Sequence, residues 1–447
     1  MKIRISAFLA ILVVVSACTS PAGSGQPAPS GPGATGAATA TAAATATEPT
    51  QPVTLHMFVR NYMLNQDSPL KTAKADFEKK HPMVTIDLSP APYDPQHQRI
   101  LLSKAGGVQP DMSQIDTIWL GEMADQGLAL NLDSYYAKWD QTSDIPDSFL
   151  ASSKWKGQYY AVWAYSDTRT FLWNKDVFRK AGLDPEKPPT TWAEMIDMAK
   201  QVQAKVPGVS GIGFPASAQE GTADRWYPYL FMGGGRILNE EQTKAEFNSP
   251  AGVKSVQLLV DLIRKEKVTP PDVLTQDADA VYASVLAGRY AMMLASVGDG
   301  WADSKLDGDA YKQKMGAAMP PLCDGCKPAS AAGGWLFMIN PKSAYKDLVF
   351  EYISLATATP NITPFEVKLV RIPVRKSGLA QAEAFKADPY YAVTVKAAAV
   401  SQFAPWVPQY YKVVETIYTA IQKSLQGGIG VKEALDTAAA DVDKLLK

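Results

Sequence analysis

Apolar positions recur with two different periods along residues 53–447, which predicts strands and helices in alternation. Apolar side chains occupy every second position of residues 53–59, a spacing that predicts a strand with one buried face. Two further short strands are predicted over residues 84–88 and 111–116, with helical patterns between the three. This β-α-β-α-β order favours a mainly parallel sheet with helices on its faces.

The most apolar and aromatic stretch of this region lies at residues 157–178. Its pattern predicts two short strands, over 159–164 and 169–173, separated by a polar break with Asp167 inside it. A strand that stops, exposes an acid and resumes is expected where a chain crosses between two lobes. Because a second run of helices and strands follows, the sequence predicts an α/β fold with two lobes and a cleft between them.

Two predicted helices begin with recognisable capping residues. Ser68 precedes Pro69, which places a side-chain oxygen and a preset backbone angle at the first turn. Thr191 is followed three positions later by Glu194, the spacing of a capping box.

The N-terminal segment has the pattern of an exported protein. Lys2 and Arg4 precede a short apolar run, too short to span a bilayer, and small residues lead up to Cys18. This resembles the bacterial lipobox, which implies a signal peptide over residues 1–17 and a lipid on Cys18. The alternative is an ordinary signal peptide cleaved near Ala17. Either way we expect an extracytoplasmic protein, and the lipid would anchor it to the cell membrane.

Residues 18–52 follow the leader and are rich in Ser, Ala, Thr, Gly and Pro. This segment has no aromatic residue and only one charged residue, Glu48. It cannot bury enough apolar surface to offset the entropy of ordering, so we expect a disordered tether.

Length and charge exclude some classes of protein. The chain has 447 residues, enough for two or three domains at roughly 150 residues each. Its formal net charge is −1, so nothing in its charge indicates binding to nucleic acid.

Two cysteines lie close together after the leader. In an exported protein, Cys323 and Cys326 are expected to form a disulfide across a tight turn. A thioredoxin-like redox site would place the pair at the start of a helix, whereas here it follows a Pro-Pro loop. No second Cys-x-x-Cys exists and the three histidines are not at ligand spacing, so we expect no metal and no cofactor.

A set of short motifs resembles the sugar-binding proteins of ABC importers, of the maltose- and trehalose-binding type. Asp167 is followed by Asn174-Lys175-Asp176 and later by Thr191-Trp192, as in that family. Further matches follow in the family's order along residues 53–447: Pro110-Asp111 with Asp116, Gly298 to Trp301, Gly333-Gly334-Trp335, and Tyr410-Tyr411.

The resemblance implies a periplasmic-binding-protein fold in which three segments cross between the lobes. The crossings would lie near residues 165–167, 319–322 and 371–375. Lobe one would then comprise residues 53–164 and 323–370, and lobe two residues 165–322 and 371–447. Closure around a solute would be a hinge motion of the crossing segments.

The resemblance also implies a set of residues that contact a saccharide. Carboxylates accept hydrogen bonds from sugar hydroxyls, Arg and Asn side chains donate further ones, and aromatic rings stack on the apolar face of the sugar ring. The predicted carboxylates are Asp116 and Asp167. The other predicted contacts are Arg60, Asn61 and Arg375 as donors, Gly334 in the glycine-rich strand, and Trp226, Trp301, Trp335 and Tyr410 as platforms. Arg169 and Thr170 depart from the family pattern, which has small or apolar residues after the acid.

The predicted function is that of a non-enzymatic, monomeric receptor that binds a di- or oligosaccharide and delivers it to an ABC permease. Three alternatives stay open. One is a binding protein for another solute, such as a glycerol phosphate or a polyamine. Another is an exported glycoside hydrolase, since Asp116 and Asp167 could be the two carboxylates that hydrolysis requires. The third is a sensory or adhesive lipoprotein of the same fold.

Overall fold

A computed structural model describes residues 48–304, 306–382 and 386–447. Cys18, the predicted signal peptide and all but the last residues of the predicted tether lie outside the described residues. Within the described ranges, every helix is too short or too polar to cross a membrane.

Twelve strands are described: β1 (Val53–Arg60), β2 (Val84–Ala91), β3 (Met112–Asp116), β4 (Lys154–Trp155), β5 (Gln158–Tyr159), β6 (Val162–Thr168), β7 (Thr170–Asn174), β8 (Ser210–Ile212), β9 (Tyr290–Ala295), β10 (Met315–Ala318), β11 (Ser330–Ile339) and β12 (Ser401–Phe403). The described α-helices are α1 (Pro69–Lys80), α2 (Tyr93–Gly106), α3 (Leu120–Asp125), α4 (Asp133–Tyr136), α5 (Asp147–Ser152), α6 (Lys175–Lys180), α7 (Trp192–Lys205), α8 (Glu220–Met232), α9 (Pro250–Arg264), α10 (Ala278–Leu286), α11 (Val297–Ser304), α12 (Gly308–Lys314), α13 (Lys346–Ala356), α14 (Thr359–Lys368), α15 (Lys376–Ala382), α16 (Pro389–Ala399), α17 (Tyr410–Gln426) and α18 (Val431–Leu445). Short 3-10 helices cover Asn61–Leu64, Thr117–Trp119, Asp140–Asp144 and Pro271–Thr275.

The first sheet has the strand order β12-β11-β3-β1-β2, with β6 also paired to β11. The strands β1, β2 and β3 run parallel, as the β-α-β-α-β pattern predicts, while β11 runs antiparallel to β3 and to β6. Alternate side chains of β1 point into the core, and Leu55, Met57 and Val59 are fully buried. The parallel arrangement brings the carboxyl ends of β1 and β3 to one edge of the sheet.

The second sheet has four strands in the order β10-β7-β9-β8. All residues of β7 and β9 are buried, and helix α10 packs against both strands. The predicted helix starts are confirmed: the side-chain oxygens of Ser68 and Thr191 accept hydrogen bonds from the backbone N–H groups of Lys71 and Glu194.

The passage from the first sheet to the second occurs at a single residue. Strand β6 remains paired with β11 as far as Thr168, and β7 begins at Thr170, opposite Ala295 of β9. The predicted polar break over residues 165–168 is therefore wrong. These residues continue the strand because β11 supplies ladder partners for them, with Gly333 opposite Asp167. Along the chain, only Arg169 lies between β6, in the first sheet, and β7, in the second.

The chain then changes sheet several more times. After β10, in the second sheet, residues 319–329 lead to β11, in the first. Within residues 371–447, β12 joins the first sheet, whereas α17 packs against α8 and α9, and α18 packs against α9. The described residues 48–304, 306–382 and 386–447 thus form two main sheets with helices packed on both, and a small two-stranded sheet of β4 and β5.

Candidate functional site

Strand pairing in the first sheet brings together four of the predicted contact residues. Asp116 is the last residue of β3 and lies opposite Trp335 of β11. Arg60 is the last residue of β1, which pairs with β3. Asp167 lies near the end of β6, opposite Gly333. The four side chains of Arg60, Asp116, Asp167 and Trp335 all line one cleft.

Elements around the second sheet supply the facing wall of this cleft. Asp224 and Arg225 come from α8, Asp279 and Tyr282 from α10, and Met293 from β9. The remaining lining residues are Tyr93, Arg169, Gly221, Ala278, Ala295, Ser296 and Gly300. Side chains attached to both sheets therefore meet across the cleft.

The cleft is nearly closed. It encloses about 570 Å³ of space between atoms, including space open to solvent, but the centre of a water molecule can reach only about 30 Å³ of it. Since one water needs roughly 10–15 Å³ on that measure, the closed cleft has room for two or three waters. A larger solute enters only after the walls separate.

Asp116 is buried without a contacting cation among the described residues. The Tyr93 hydroxyl lies 3.1 Å from its Oδ2 atom, and the Ile118 backbone N–H and the Thr117 hydroxyl donate to its Oδ1 atom. Burial, and then the negative charge of Asp167, raise the pKa of Asp116 to about 7. This carboxyl group is therefore poised to change its charge near neutral pH.

Asp167 is paired with the residue at the sheet junction. Its Oδ1 atom lies 3.0 Å from Nη1 of Arg169, and both side chains are more than nine-tenths buried. The same guanidinium group donates from Nε and Nη2 to Asp224 on α8, with the shortest distance 2.8 Å. Arg225 also contacts Asp224. Arg169 thus joins a carboxylate of the first sheet to a carboxylate beside the second.

Arg60 is held by aromatic rings on the first-sheet side of the cleft. Its guanidinium carbon lies 5.2–5.6 Å from the ring centres of Tyr62, Tyr93 and Trp335, within the range of cation–π attraction. One of its nitrogens lies 3.9 Å from Asp279. The rings fix a buried hydrogen-bond donor group beside the aromatic face of Trp335.

Glu220, at the start of α8, ties the second wall to the first. The Trp119 indole N–H donates to its Oε2 atom at 3.1 Å, and the Tyr93 hydroxyl lies 2.8 Å from its Oε1 atom. Tyr93 therefore stands between two acids with a single proton to donate. Burial, and then the charges of Asp116 and Glu220, raise the pKa of Tyr93 well above its usual value.

The other predicted contact residues do not line the cleft in this conformation. Asn61 is exposed and begins a 3-10 helix. Trp226 is buried with its indole N–H on Ser255, and the hydroxyl of Tyr410 pairs with that of Tyr227. Three more predicted residues lie elsewhere: Trp301, Gly334 and Arg375.

Trp301 lies in helix α11 and not in the predicted turn, and its ring stacks on Tyr311 at 5.4 Å. Arg375 is buried and donates to the backbone oxygen and the hydroxyl of Thr357, both at 2.7 Å. Gly334 allows a close approach of strands, since a Cβ atom there would lie 2.4 Å from the Trp163 ring.

Tyr93, Asp224 and Arg169 also line the cleft, and sequence reasoning did not include them among the contact residues. Only Arg169 gave a signal, because it stands where the family pattern has a small or apolar residue. Tyr93 and Asp224 lie in the first half of a helix, on no motif, and reach the cleft through helix packing, while Glu220 contacts Tyr93 from behind the lining.

Two other sequence features lie away from the cleft. Cys323 and Cys326 are joined as a disulfide, as expected, with their Cα atoms 5.2 Å apart. No group of three or more metal-ligating side chains occurs in the part of the chain that the structure describes.

The profile of the bacterial extracellular solute-binding protein family matches residues 63–361, so the chain belongs to this family. A protein of Brucella abortus (strain 2308) named as a binding protein is 27% identical over 408 residues, covering 88% of this chain and 93% of that protein. The sn-glycerol-3-phosphate-binding periplasmic protein UgpB of the same strain is 28% identical over 262 residues, 57% of each chain.

Solved structures share the fold. The ABC-transporter solute-binding protein of Thermotoga lettingae, bound with alpha-D-tagatose, superposes with a TM-score of 0.80 at 24% identity, covering 89% of this chain and all of that one. Maltose-bound MalE3 of T. maritima superposes with a TM-score of 0.76 at 24% identity, covering 88% and 99%. The fold is therefore the two-lobed α/β fold of periplasmic binding proteins, and the chain is a bacterial extracellular solute-binding protein.

Proposed function

We propose that this protein is a receptor for a carbohydrate, with a di- or oligosaccharide as the solute, and that it delivers the sugar to an ABC permease. The observation that carries the proposal is the composition of the cleft. Two buried carboxylates, Asp116 and Asp167, lie with two buried arginines, Arg60 and Arg169, around the indole of Trp335. Hydroxyl groups both donate and accept, so they suit a wall that offers acceptors and donors side by side.

Each part of the sugar has a complementary group in this site. Hydroxyls would donate to Asp116 and Asp167, and the guanidinium groups of Arg60 and Arg169 would donate to hydroxyl oxygens. The apolar face of one ring would lie against Trp335, where burial of apolar surface contributes affinity. Arg169 would exchange its contact with Asp167 for contacts with the solute.

We propose that binding is coupled to closure of two lobes. Lobe one would comprise mainly residues 53–164 and 323–370, and lobe two mainly residues 165–322 and 371–447, with β12 as the piece of the latter that reaches the first sheet. The described cleft admits only two or three waters, so the walls must separate before a sugar enters. Arg169, as the junction residue, would turn with the hinge.

The wider setting is part of the same proposal. We propose that the mature chain is a monomer without enzymatic activity, held at the outer face of the cell membrane by a lipid on Cys18. The tether that follows Cys18 would let the receptor reach its permease while remaining attached.

A thermal-shift screen followed by calorimetric titration tests the function. The panel contains mono-, di- and oligosaccharides, with sn-glycerol 3-phosphate and spermidine as non-sugar solutes. We expect a saccharide to raise the melting temperature, since it binds only the folded form, and to remain uncleaved after incubation with the protein. A response to a non-sugar solute alone, or release of sugar products, would contradict the proposal.

The variant Asp167→Ala provides the matched test of the site. Loss of a charged acceptor at a buried contact costs about 1.5–3 kcal/mol, so affinity should fall roughly 10- to 150-fold. Asp347 is a carboxylate of α13 outside the cleft lining. The variant Asp347→Ala therefore serves as the control and should bind the sugar as the wild type does.

A glycerol phosphate is the second candidate solute, favoured by the similarity to UgpB. The cleft counts against it, because four aspartates but only three arginines line the walls and Arg169 is already shared between two of the aspartates. A phosphate would need cationic groups in excess.

A further inference from the structure

Acids outnumber cations among the described side chains that line the cleft. The lining holds four aspartates and three arginines. Three of the aspartates, Asp167, Asp224 and Asp279, lie within 3.9 Å of an arginine nitrogen. The three arginines balance these three acids, so the charge of Asp116 is the one that the described walls leave unbalanced.

One carboxylate oxygen of Asp116 has a donor that it shares with another acid. Its Oδ1 atom accepts from the backbone N–H of Ile118 at 3.2 Å and from the Thr117 hydroxyl at 3.1 Å. Its Oδ2 atom lies 3.1 Å from the Tyr93 hydroxyl, which lies closer to Glu220, at 2.8 Å. Because a phenol has a single proton, donation to Glu220 leaves the Oδ2 atom able to accept from a solute.

The electric field at Asp116 favours an added positive charge. Burial, and then the negative charges of Asp167 and Asp224, raise the pKa of Asp116 to about 7, while Arg169 lowers that pKa by less. A hydroxyl group of a solute can donate a hydrogen bond to this carboxylate but leaves its net charge in place. A cationic donor would also balance that charge.

The surroundings of Asp116 suit a cation that is part of a sugar ring. Trp335 lies directly opposite Asp116 in the pairing of β3 with β11. The Tyr93 ring stands edge-on to the Trp335 ring, with the two ring centres 5.6 Å apart. Aromatic faces attract both the apolar face of a sugar ring and a positive charge. A simple amine would leave the face of Trp335 and the guanidinium donors of Arg60 unused.

We propose that the solute is an amino sugar, a saccharide with a protonated amino group on its ring, and that this ammonium group binds Asp116. Neighbouring hydroxyls of the same ring would donate to Asp116 and Asp167, and the ring face would lie against Trp335. The inference rests on the proposed carbohydrate function and narrows the class of solute to cationic saccharides.

Calorimetric titration at pH 7 with matched sets of sugars tests the inference. Each set contains an amino sugar, the same sugar with a hydroxyl in place of the amine, and its N-acetyl form. Glucosamine, galactosamine and mannosamine begin three monosaccharide sets, and lactosamine, lactose and N-acetyllactosamine form a disaccharide set. Spermidine supplies ammonium groups without a ring.

The same titrations are repeated on two variants. Asp116→Asn removes the proposed partner of the ammonium group. Asp347→Asn makes the same chemical change in α13, outside the cleft lining, and is the control. Melting temperatures verify that both are folded, and the comparison within each set on the wild type decides even without them.

We expect an amino sugar to bind at least about tenfold more tightly than its hydroxyl and N-acetyl counterparts, because close charge pairs in a buried interface couple by that much or more. In Asp116→Asn the affinities within a set should lie within about twofold of each other, since the charge pair is gone. Asp347→Asn should keep the full preference. Spermidine should bind more weakly than the amino sugar.

Three results would overturn the inference. The first is a hydroxyl or N-acetyl member that binds as tightly as the amino sugar in every set. The second is a preference for the amine that survives unchanged in Asp116→Asn, and the third is tighter binding of spermidine than of every amino sugar. If a neutral saccharide binds and no amino sugar is preferred, the proposed function stands and only the amino-sugar inference fails. If no saccharide binds, both fail.

Discussion

Two carboxylates on the same sheet, Asp116 and Asp167, stand in opposite electrostatic settings. Asp167 is paired with Arg169 at 3.0 Å, and that arginine reaches on to Asp224. Asp116 has only neutral donors around it, from Tyr93, Thr117 and Ile118. One acid is thus neutralised before any solute arrives, while the other is buried without a contacting cation among the described residues.

For the proposed solute, the contrast predicts different parts for the two acids in binding. Asp167 is linked through Arg169 to Asp224 on the facing wall. We therefore expect its main contribution to be to hold the closed form and orient the site. Asp116 has no contacting cation among the described residues, so burial disfavours its charged form, and hydroxyl donors of a solute would stabilise that form. Solute binding should therefore depend on pH through Asp116 more than through Asp167.

The largest effect is expected from removing Arg169, the cation paired with Asp167. Arg169→Met would leave Asp167 and Asp224 buried without their shared partner, which costs about 3–5 kcal/mol of folding free energy. Urea unfolding measures the loss. Arg236→Ala, which breaks an exposed i,i+4 pair, is the control and should cost at most about 1 kcal/mol. Equal losses in the two variants would show that Arg169 does not hold the walls together.

A smaller effect is expected from removing the ionisable carboxyl group of Asp116. Because the folded-state pKa of Asp116 is raised to about 7, its contribution favours folding below pH 4 and is lost as the pH rises to about 7. Asp116→Asn should therefore flatten the fall in unfolding free energy between pH 4 and pH 7. Urea unfolding across this range measures it.

Glu366 provides the control for this pH dependence, because burial raises its pKa to about 8 at a place outside the cleft lining. Glu366→Gln should remove a fall in unfolding free energy that continues beyond pH 7, to about pH 8. The contrast between Asp116 and Asp167 is contradicted if Asp116→Asn keeps the wild-type slope of unfolding free energy against pH. It is also contradicted if Asp167→Asn flattens that slope as much as Asp116→Asn does.

A still smaller effect is expected from removing the Tyr93 hydroxyl, which lies next to Asp116 where the two walls meet. Tyr93→Phe removes the hydroxyl that lies between Asp116 and Glu220, at a net cost of about 0.5–1.5 kcal/mol. Sugar affinity should fall roughly 2- to 10-fold, measured by titration calorimetry. Tyr160→Phe, which removes a surface hydroxyl on Gln158, should leave affinity unchanged. Unchanged affinity in Tyr93→Phe would remove Tyr93 from the site.

The smallest effect is expected at Asn61, the neighbour of Arg60. Its side chain is exposed and is not part of the cleft lining, so Asn61→Ala should change sugar affinity less than twofold. Arg60→Ala, which removes the cation held by Tyr62, Tyr93 and Trp335, should weaken binding in the same titration. A loss in Asn61→Ala as large as in Arg60→Ala would place Asn61 in the open site.

The sequence predicted the parts of the site that depend on strand ends. Arg60 and Asp116 follow from the alternating pattern and the parallel order, because the carboxyl ends of such strands meet at one edge. Asp167 follows from the resemblance to a known family. The two-lobed α/β fold was predicted for the same reasons and is confirmed.

The features that the sequence pattern did not predict depend on pairing and packing between distant segments. Residues 165–168 appear polar enough for a break, yet β11 supplies a ladder for them from more than 160 positions away. The side on which a tryptophan packs is likewise set by neighbouring helices, so Trp226 and Trp301 face partners in their own part of the fold. Tyr93 and Asp224 reach the cleft through helix placement, which local pattern does not encode.

A crystal structure with the tightest-binding saccharide tests the central claim most directly. The sugar should lie between Asp116 and Asp167, with hydroxyls within 3.2 Å of both carboxylates and one ring face against Trp335. A sugar bound away from these three residues, or a non-sugar solute that occupies the cleft while no saccharide does, would contradict the claim.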